Sequence, residues 1–525
     1  MGIYLNPGNE NFRRTLAAKI YVDKTMMIEQ MNEFIDEGNN YICISRPRRF
    51  GKTIAGNMLS AYYSKGCDSS ELFAPLKIAK TEGYRERLNK LNVIKIDLNS
   101  EYQSAEDKAQ IIKILSREIC SELREEFPSV SFREEDSLAR SILRVYAATK
   151  ESFVIIIDEY DVLIRENVDK RLFDEYLGFL NGLFKSDTLR QAISLAYITG
   201  ILPVVRDKVQ SKLNNFEEYT IVSAKELREY VGFTDGEVKE LCRRYNMDYN
   251  ECKNWYDGYN LRGMEIYNPE SVVKAMRNGY YEGYWSRTST YRVIADYLER
   301  NFEGIRDDVI KMIAGEEISV NITSFLNTMD SFITKDDVFT YLIHVGYLVY
   351  NAEEKTCHIP NREVLQEWFN AIEINKDYRV TDKIIKASKE LLKETMAGNE
   401  EAVAEALDES HIHVTSNRSY NNEDALCSAI YLSYIYALNY YTCIKEMTAG
   451  KGFADVIYIP IFKGSPALIV ELKHNKSPES ALEQIKEKKY FDAFDSYSGD
   501  IIFVGIDYDE KDKTHSCRIE RFVKE

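Results

Sequence analysis

The stretch GFADVIYIPIFKGSPALIVELKH, residues 452–474, decides the fold predicted for the C-terminal part of the chain. It reads as two short strands joined by a turn at residues 463–466, where Lys, Gly, Ser and Pro follow one another. Because residues two apart on a strand face the same side, Glu471 and Lys473 project together. If the two strands pair antiparallel, Asp455 on the first strand reaches the same place. The stretch therefore predicts two carboxylates and one ammonium around a common cavity.

This combination suits the metal-assisted attack of water on a phosphodiester. Mg²⁺ prefers hard oxygen ligands, so Asp455 and Glu471 are predicted as metal ligands. Lys473 would orient the water while the metal offsets the charge that develops on phosphate. The alternative is an ordinary ion pair on a solvated strand, which is the better interpretation of the Glu-x-Lys tripeptide alone. The apolar run at 468–470 favours the first interpretation, because it predicts a strand buried on both faces, where an unpaired charge is costly.

The elements around this hairpin are predicted in the order helix (422 to about 440), strand (442–448), the two strands above, helix (478 to about 494) and strand (501–506). This αβββαβ order, with Asp455, Glu471 and Lys473 on its central hairpin, resembles the PD-(D/E)xK superfamily. Its restriction-endonuclease-like core cuts nucleic acid, so the resemblance implies a nuclease with DNA rather than RNA as the expected substrate.

The same resemblance implies further site residues in this chain. Glu423 on the first predicted helix is implied as a third metal ligand, and Gln484 on the following helix as a catalytic residue. Tyr490 ends the same signature. One departure is Ala454, which stands where the superfamily has the proline of its name. Proline carries no metal chemistry, so the departure affects the likeness more than the mechanism.

A second motif lies far upstream, in NNYICISRPRRFGKT at residues 39–53. A strand at 41–44 and a helix from 53 to about 63 are predicted on its two sides, which is the context that a phosphate-binding loop requires. In such a loop, backbone amides and the helix N-terminus hold phosphates while the lysine, here Lys52, reaches the β and γ groups. The first glycine of the pattern is replaced by Arg46, and Pro47 lacks an amide donor, so the cradle must differ from the standard one. A chance basic turn remains the alternative.

The segment SFVIIIDEYDVLI, residues 152–164, resembles a Walker B strand. A buried parallel strand that ends in Asp158 and Glu159 would place one carboxylate by the Mg²⁺ of a nucleotide and the next beside the attacking water. A core strand with solvated acids at its end is the alternative. The next predicted strand, ISLAYITGI, ends at Thr199, where ATPases of the AAA class carry a polar sensor of the γ-phosphate.

Taken together, these strings resemble the AAA-ATPase-like proteins that are often fused to a C-terminal PD-(D/E)xK nuclease domain. The resemblance runs along most of the chain and rests on strings in the family's order: YVDKTMMIEQM (21–31), SRPRRFGKT (45–53), IIIDEYD (155–161), YITGI (197–201), NNFEEYT (214–220), GFTDGEV (232–238), WYDGYNL (255–261) and YNPESVV (267–273).

The family itself carries the SRPRRFGK variant of the loop, and it implies ATP and Mg²⁺ as cofactors. The implied nucleotide-binding residues are Arg46, Arg49, Gly51, Lys52, Thr53, Asp158 and Thr199. Thr53 and Asp158 are implied as ligands of the nucleotide's metal and Glu159 as a catalytic residue, with Asp23 and Lys24 in support. Whether ATP is hydrolysed or only bound is left open.

Composition bounds the remaining classes of function. With 525 residues the chain exceeds one hydrophobic core. A net charge of −17, from 68 Lys and Arg against 85 Asp and Glu, argues against passive coating of nucleic acid, so binding must be local. Nine cysteines without a CxxC pair predict reduced thiols in a cytoplasmic protein. Apolar runs are too short for a membrane span, and the N-terminus lacks the apolar core of a signal peptide.

The middle of the chain is predicted to be mostly helical. Residues 224–245 predict two short helices broken at Gly232, as at the start of an ATPase lid. Residues 334–369 predict helix, strand, turn, strand and helix, an order that suits a winged-helix-like module serving either DNA binding or packing. Residues 380–410 predict an amphipathic helical connector.

The fold class predicted overall is α/β and multidomain. It has a P-loop NTPase-like parallel sheet (1–223), a helical lid and winged-helix-like region (224–375), and a helical connector with a restriction-endonuclease-like αβββαβ core (376–525). The function predicted is an ATP-regulated, Mg²⁺-dependent nuclease. One alternative is a non-catalytic nucleotide switch that binds nucleic acid or a protein partner through the nuclease fold. Another is a signalling or defence ATPase whose partner is protein and whose cutting is activated only in an assembly, such as a homo-oligomer.

Overall fold

The computed structural model describes residues 2–166, 168–204, 213–285, 302–323, 325, 332–374, 379–414, 430–431, 433–449, 452–461, 464–488 and 499–523. The chain divides into two compact units. The first consists of Met1–Thr290 and Glu317–Leu365, and the second of Tyr291–Glu316 and Gln366–Glu525. The predicted domain boundary after residue 223 falls within the first unit. Among the described residues, none of the helices combines the length and apolarity that crossing a bilayer requires.

The first unit begins with five parallel strands and the helices that connect them. The strands are β1 (Tyr41–Ser45), β2 (Asn92–Asp97), β3 (Phe153–Asp158), β4 (Ile193–Gly200) and β5 (Glu217–Tyr219). The helices are α1 (Glu10–Leu16), α2 (Met26–Glu37), α3 (Lys52–Tyr63), α4 (Ser70–Phe73), α5 (Leu98–Ser104), α6 (Ile111–Glu126), α7 (Leu138–Thr149), α8 (Val162–Arg165), α9 (Lys170–Phe184) and α10 (Asp187–Arg190).

The five strands form one sheet in the order β2-β3-β4-β1-β5, and every pair in it is parallel. Strands β1 and β3 are buried along their whole length, as expected for a parallel sheet covered by helices on both faces. The predicted P-loop NTPase-like sheet is therefore confirmed. Because β4 lies between β1 and β3, the loop after β1, the acids after β3 and Thr199 all lie at one edge of the sheet.

The middle of the chain contains short strands and helices. The strands are β6 (Phe233–Thr234), β7 (Tyr259–Asn260), β8 (Glu265–Tyr267), β9 (Ile318–Ser319), β10 (Val349–Asn351) and β11 (Thr356–His358). The helices are α11 (Asp235–Tyr245), α12 (Tyr249–Tyr256), α13 (Pro269–Asn278), α14 (Ile305–Ile313), α15 (Lys335–Val345) and α16 (Arg362–Ile374).

Two predictions for this middle part have different outcomes. The order of helix, two strands and helix over 334–369 is confirmed by α15, β10, β11 and α16. Residues 337–349 are all buried, so α15 packs against its neighbours instead of presenting a face to DNA. The first of the two helices predicted within 224–245 is wrong, because only a 3-10 turn forms at Lys225–Leu227 before β6 and α11.

The second unit has a mixed sheet packed against helices. The helices are α17 (Arg379–Ala397), α18 (Glu400–Val414) and α19 (Pro478–Glu487), and the strands are β12 (Tyr441–Ala449), β13 (Gly452–Pro460), β14 (Ala467–His474), β15 (Ile501–Asp509) and β16 (Thr514–Phe522). Its 3-10 turns occur at Phe302–Gly304 and Ile435–Asn439, and the first unit has further 3-10 turns at Lys77–Lys80, Glu82–Arg85 and Lys108–Gln110.

The sheet of the second unit has the order β12-β13-β14-β15-β16, with β14 and β15 parallel and the other pairs antiparallel. This arrangement fits the predicted restriction-endonuclease-like core and adds the strand β16, which the sequence did not predict. Most of the helix predicted over 422–440 lies outside the described residues. Its described end is a 3-10 turn at Ile435–Asn439.

Candidate functional site

The loop between β1 and α3 surrounds the Lys52 ammonium with main-chain oxygens. Lys52 is 4% exposed, and its Nζ donates to the carbonyl oxygens of Arg46 and Pro47, both at 3.0 Å. Burial lowers the pKa of Lys52, and the charges of Glu159 and Asp158 oppose that shift. The ammonium is therefore buried in the loop, close to the two acids that follow β3.

Arg46, which replaces the first glycine of the loop pattern, is turned toward the sheet. Its side chain is fully buried, and Nη1 donates to the carbonyl oxygens of Ser45 at 2.9 Å and Tyr219 at 2.8 Å. Burial lowers the pKa of this guanidinium to about 10. These contacts tie the loop to β5 through Nη1, while Nε and Nη2 are buried without a hydrogen-bond partner among the described residues, so a contact of Arg46 with nucleotide stays a prediction.

The acids after β3 are held by their neighbours at the ends of adjacent strands. Asp158 is 2% exposed and accepts a hydrogen bond from the Thr199 hydroxyl at the end of β4. Burial lowers the pKa of Lys95 on β2, and the nearby negative charge of Asp158 opposes that shift. For Glu159, burial raises the pKa, and the charge of Lys52 opposes the shift. Lys95 and Lys52 thus lie near the acids after β3 and oppose part of their negative charge.

A cleft of about 460 Å³ opens beside the loop. Arg49 and Glu270 face each other in it as an ion pair. Its size and mainly apolar lining suit the base and sugar of a nucleotide next to a phosphate loop. Its lining consists of Thr15, Ala18, Ile20, Tyr21, Val22, Lys24, Arg49, Phe50, Gly51, Lys52, Thr53, Ile54, Ala55, Met58, Glu159, Tyr230, Gly232, Phe233, Pro269, Glu270 and Val273.

Aromatic residues from later in the chain pack directly on the loop. The ring of Phe50 lies 5.1 Å from that of Tyr259 in an edge-to-face contact. The Tyr259 hydroxyl donates to the carbonyl oxygen of Gly346 at 2.8 Å. A Cβ built on Gly346 would lie 2.7 Å from Pro47 and 2.9 Å from Trp285, so the backbone after α15 closely approaches the loop. Pro47 and Phe50 are therefore docking points for the region after residue 224.

The second set of predicted residues meets between β13 and β14. The two strands pair antiparallel with Val456 opposite Val470, as predicted. At the next position the Asp455 side chain bonds to the backbone of β14, because its Oδ2 accepts the N–H of Leu472 at 2.7 Å. The carboxylate of Asp455 is therefore fixed beside Glu471.

Glu471 is the centre of this cluster and is 1% exposed. Its Oε1 accepts from Lys473 Nζ at 3.0 Å and from the side-chain amide of Gln484 on α19. Lys473 also donates to the carbonyl oxygen of Leu472 at 2.9 Å. The other oxygen, Oε2, is buried and has no hydrogen-bond partner among the residues that the structure describes.

Helix α19 can approach the cluster because a glycine lies beneath it. Gly505 on β15 is opposite Glu471, and a Cβ there would lie 2.4 Å from the carbonyl oxygen of Pro478 and 3.1 Å from Ala481. A larger residue would push α19 outward and move Gln484 away from Glu471.

The electrostatics of this cluster fit a divalent cation. Burial, followed by the charge of Asp455, raises the pKa of Glu471 to about 7, while Lys473 acts in the opposite direction. A cation between the two carboxylates would remove the repulsion and give Glu471 Oε2 a partner. Among the described residues no three His, Cys, Asp or Glu side chains converge, so the described part of the site offers two carboxylates. Glu423, implied as the third ligand, lies outside the described residues.

Comparison with known families agrees with both sites. Residues 8–210 match the family described as predicted AAA-ATPase, and residues 421–517 match the PD-(D/E)xK nuclease superfamily. The chain is an AAA-ATPase-like domain fused to a PD-(D/E)xK nuclease superfamily domain. Strands β1 to β4 of the P-loop sheet lie within the ATPase-like match and β5 follows it, and the sheet β12–β16 lies mainly within the nuclease-like match.

Individual relatives add little to this assignment. An uncharacterized protein encoded in the vnfD 5′ region of Azotobacter chroococcum mcd 1 is 25% identical over 289 residues, which cover 53% of this chain. The match spans about half, 52%, of that curated relative. The solved structure of the Aeropyrum pernix ORC1 protein in complex with DNA aligns over 92% of this chain and 98% of that one, at 10% identity and a TM-score of 0.23. A score of that size supports no conclusion.

Most of the site residues inferred from sequence lie together in these two domains. In the ATPase-like domain Arg49, Gly51, Lys52, Thr53 and Glu159 border the cleft, and Asp158 and Thr199 bond to each other behind them. Lys24 also borders the cleft, whereas Asp23 caps Thr25 and accepts from the Lys77 amide.

Sequence reasoning missed Lys95, Asp161 and Arg165, which surround the acids after β3. Asp161 and Arg165 could have been noticed, because Asp161 ends the DEYD string and Arg165 follows it four residues later. Nothing in the sequence pointed to Lys95.

Proposed function

We propose that the chain is an ATP-binding nuclease that cuts phosphodiester bonds with Mg²⁺ and is regulated by nucleotide. The observation that carries the proposal is the cluster of Asp455, Glu471 and Lys473. One buried oxygen of the Glu471 carboxylate has no hydrogen-bond partner among the described residues, while an ammonium lies 3.0 Å from its other oxygen. Buried charges of this kind are costly unless a ligand uses them. The two domain families support a nucleotide-dependent function related to nucleic acid.

In the nuclease-like domain, Asp455 and Glu471 would hold the metal, with Glu423 as a third ligand. When bound, the metal would supply Lewis-acid stabilisation of the phosphate. Lys473 would hold the attacking water and offset negative charge next to Glu471. Gln484 fixes the orientation of the Glu471 carboxylate through its hydrogen bond to Oε1. We propose DNA ahead of RNA as substrate, on the likeness to restriction-endonuclease-like cores.

In the ATPase-like domain, the proposed nucleotide is ATP. Its base and sugar would enter the cleft beside the loop, and Lys52 and Thr53 would meet the phosphates at the N-terminus of α3. Lys52 must then exchange two carbonyl oxygens for phosphate oxygens, which gives the loop two states. We propose that this exchange regulates cutting and that the protein acts in the cytoplasm, where the eight free cysteines at described positions would stay reduced.

The experiment is cleavage of supercoiled plasmid and of structured RNA, with Mg²⁺ or with EDTA, and with or without ATP. Lys473→Ala should lower cutting by at least about 100-fold, because one preorganised charge at a reacting phosphate has an effect of that size. Lys52→Ala should abolish ATP binding and change the response to ATP only. Lys393→Ala and Lys170→Ala are matched controls, because these lysines are 67% and 89% exposed and, in the described part of the chain, pair with acids on their own helices.

Three outcomes would count against the proposal. Equal cutting by Lys473→Ala and wild type would assign the activity to a contaminant, and cutting in EDTA would exclude metal assistance. Tight ATP binding without cutting of any substrate would favour the non-catalytic switch. Faster cutting of RNA than of DNA would reverse the substrate preference and leave the chemistry intact.

A further inference from the structure

The turn after β3 presents Glu159 to the cleft in an uncommon backbone conformation. Glu159 has a φ of +55°, in the left-handed region that residues other than glycine seldom occupy. Its side chain is 23% exposed and borders the cleft together with Lys52. Such a conformation costs roughly 1–3 kcal/mol and persists only where surrounding contacts impose it.

Arg165 is one of those contacts. Its Nη2 forms an ion pair with Glu159 Oε2, and its Nε lies 3.0 Å from Asp161 Oδ2. The Arg165 side chain is only 9% exposed, so solvent screens these pairs less than at the surface. One guanidinium thus bridges two carboxylates of the same turn.

Asp161 in turn attaches this bridge to the end of β4. Its side chain is fully buried, and Oδ2 accepts the N–H groups of Ile201 at 3.0 Å and Leu202 at 2.8 Å. The N–H of Tyr160 donates to the carbonyl oxygen of Thr199 at 2.8 Å. Asp161 therefore fixes Arg165 relative to the end of β4, and the ion pair with Arg165 in turn restricts the Glu159 side chain.

We propose that Arg165 is a positioning residue for ATP hydrolysis, which fixes the Glu159 carboxylate in the direction of the water that attacks the γ-phosphate. The proposal rests on the proposed function, because it needs ATP in the cleft. In the step, the water oxygen bonds to the γ-phosphorus while the bond from that phosphorus to the β–γ bridging oxygen breaks and ADP leaves. The proton of the water passes to Glu159 and then to the released phosphate.

Only one carboxylate oxygen of Glu159 is used by Arg165. Oε2 carries the ion pair, which leaves Oε1 to accept a hydrogen bond from water. A flexible glutamate would lose this orientation, and a misplacement of about 1 Å is enough to cost roughly 100-fold in rate.

The test is steady-state ATP hydrolysis by the full chain, with ATP affinity measured separately by calorimetry. Arg165→Ala should lower kcat at least about tenfold while KM and the Kd for ATP change less than about threefold. Arg165→Lys should recover part of kcat, because an ammonium can pair with Glu159 without the fixed fork of arginine. Arg243→Ala is the matched control, since Arg243 is 76% exposed and its ion-pair partner among the described residues is Glu240 on the same helix.

A double-mutant cycle separates positioning from general damage to the fold. In a Glu159→Gln background, Arg165→Ala should cause no further loss of the residual single-turnover rate, because Arg165 acts through the carboxylate that is already gone. An equal fractional loss in both backgrounds would overturn the proposal and show a structural role. An unchanged kcat or a higher kcat in Arg165→Ala would also overturn it, the latter by showing that Arg165 restrains Glu159.

The wild type distinguishes this failure from failure of the proposed function. If the wild type binds ATP and does not hydrolyse it, the hydrolytic role of Glu159 is wrong and the inference is overturned, while regulation by binding survives. If the wild type does not bind ATP, the proposed function itself fails at the first domain.

Discussion

At the scale of single residues, the buried charges described in this protein pair either with a group close in sequence or with a group on a neighbouring element. Glu471 and Lys473 are two positions apart on β14, and Arg165 bridges acids four and six positions before it. His515 on β16 is a further case, because its Nδ1 lies 2.7 Å from Asp408 Oδ1 on α18. Local pairs of this kind form as soon as the element forms or docks, which leaves one group of each site facing the ligand.

The His515 pair predicts how the second unit responds to acid. Burial lowers the pKa of His515, although Asp408 on α18 and Asp507 on β15 act in the opposite direction. The folded-state pKa then lies below the unfolded value of about 6.5, so protonation favours unfolding. We therefore expect the second unit to keep this stability above the unfolded pKa of about 6.5 and to lose it as the pH falls below that value toward the lower folded-state pKa.

Hydrogen exchange of the β15 and β16 amides between pH 7.5 and 5 is the measurement. In His515→Gln, the protection of these amides should depend less on pH than in the wild type, after correction for intrinsic exchange. A variant with the same slope as the wild type would assign the acid sensitivity to other groups.

At the scale of elements, helices and loops meet where side chains are absent. Gly505 admits α19 to the sheet, and Gly346 at the end of α15 admits the backbone to the phosphate loop. The unusual residues of that loop, Pro47 and Phe50, are the ones that these later elements contact. The loop therefore differs from the glycine-rich pattern at a place where later elements pack on it.

Gly346→Ala should weaken both the docking and nucleotide binding. Gly346 has a φ of +91°, and an added Cβ would lie 2.7 Å from Pro47. We expect a loss of about 1–3 kcal/mol in unfolding free energy, from backbone strain and overpacking together. ATP affinity should fall as well, because the loop must shift.

Gly38→Ala is the matched control for this change. Gly38 also follows a helix with a positive φ, +76°, but an added Cβ meets no heavy atom within 4 Å. It should cost about 1 kcal/mol or less and leave ATP affinity unchanged. Equal effects of the two variants on ATP affinity would show that the contact with Pro47 is irrelevant to binding.

At the scale of the whole molecule, the two units carry separate cores and separate sites. Proteins with more than one core seldom unfold in one step, so we expect two thermal transitions. A ligand that binds one folded unit stabilises that unit by RT ln(1 + [L]/Kd), about 2.7 kcal/mol at 100 times Kd. A non-hydrolysable ATP analogue should therefore raise only the transition of the first unit.

Differential scanning calorimetry checks this expectation. Lys52→Ala should remove the shift caused by the analogue, and Lys170→Ala should retain it. A shift of both transitions would mean that the units unfold as one body, and no shift in the wild type would contradict ATP binding at the loop.

Much of this molecule could be inferred from its sequence because the deciding signals are local. Short apolar runs predicted β1, β3 and β14. The alternation of side chains along a strand predicted that Glu471 and Lys473 share one face. The P-loop-like context of Lys52 was visible from the order of strand, loop and helix. Conformations of this kind depend on neighbours within a few residues, so they can be inferred without knowing the fold.

What the sequence by itself determined, then, is the two domain types, the positions of β1, β3, β4 and β12 to β15 along the chain, and the acids and lysines on those strands and directly after them. Only the tertiary structure decided that Arg46 turns toward β5, that Lys95 lies by Asp158, that Arg165 holds Glu159 and that Pro47 and Phe50 receive residues from beyond position 250. Each of these contacts depends on the order of strands in the sheet or on side-chain direction after packing. The spacing of residues along the chain encodes neither the strand order nor the side-chain direction. Both depend on which apolar surfaces pack against each other and are removed from water when the whole domain folds.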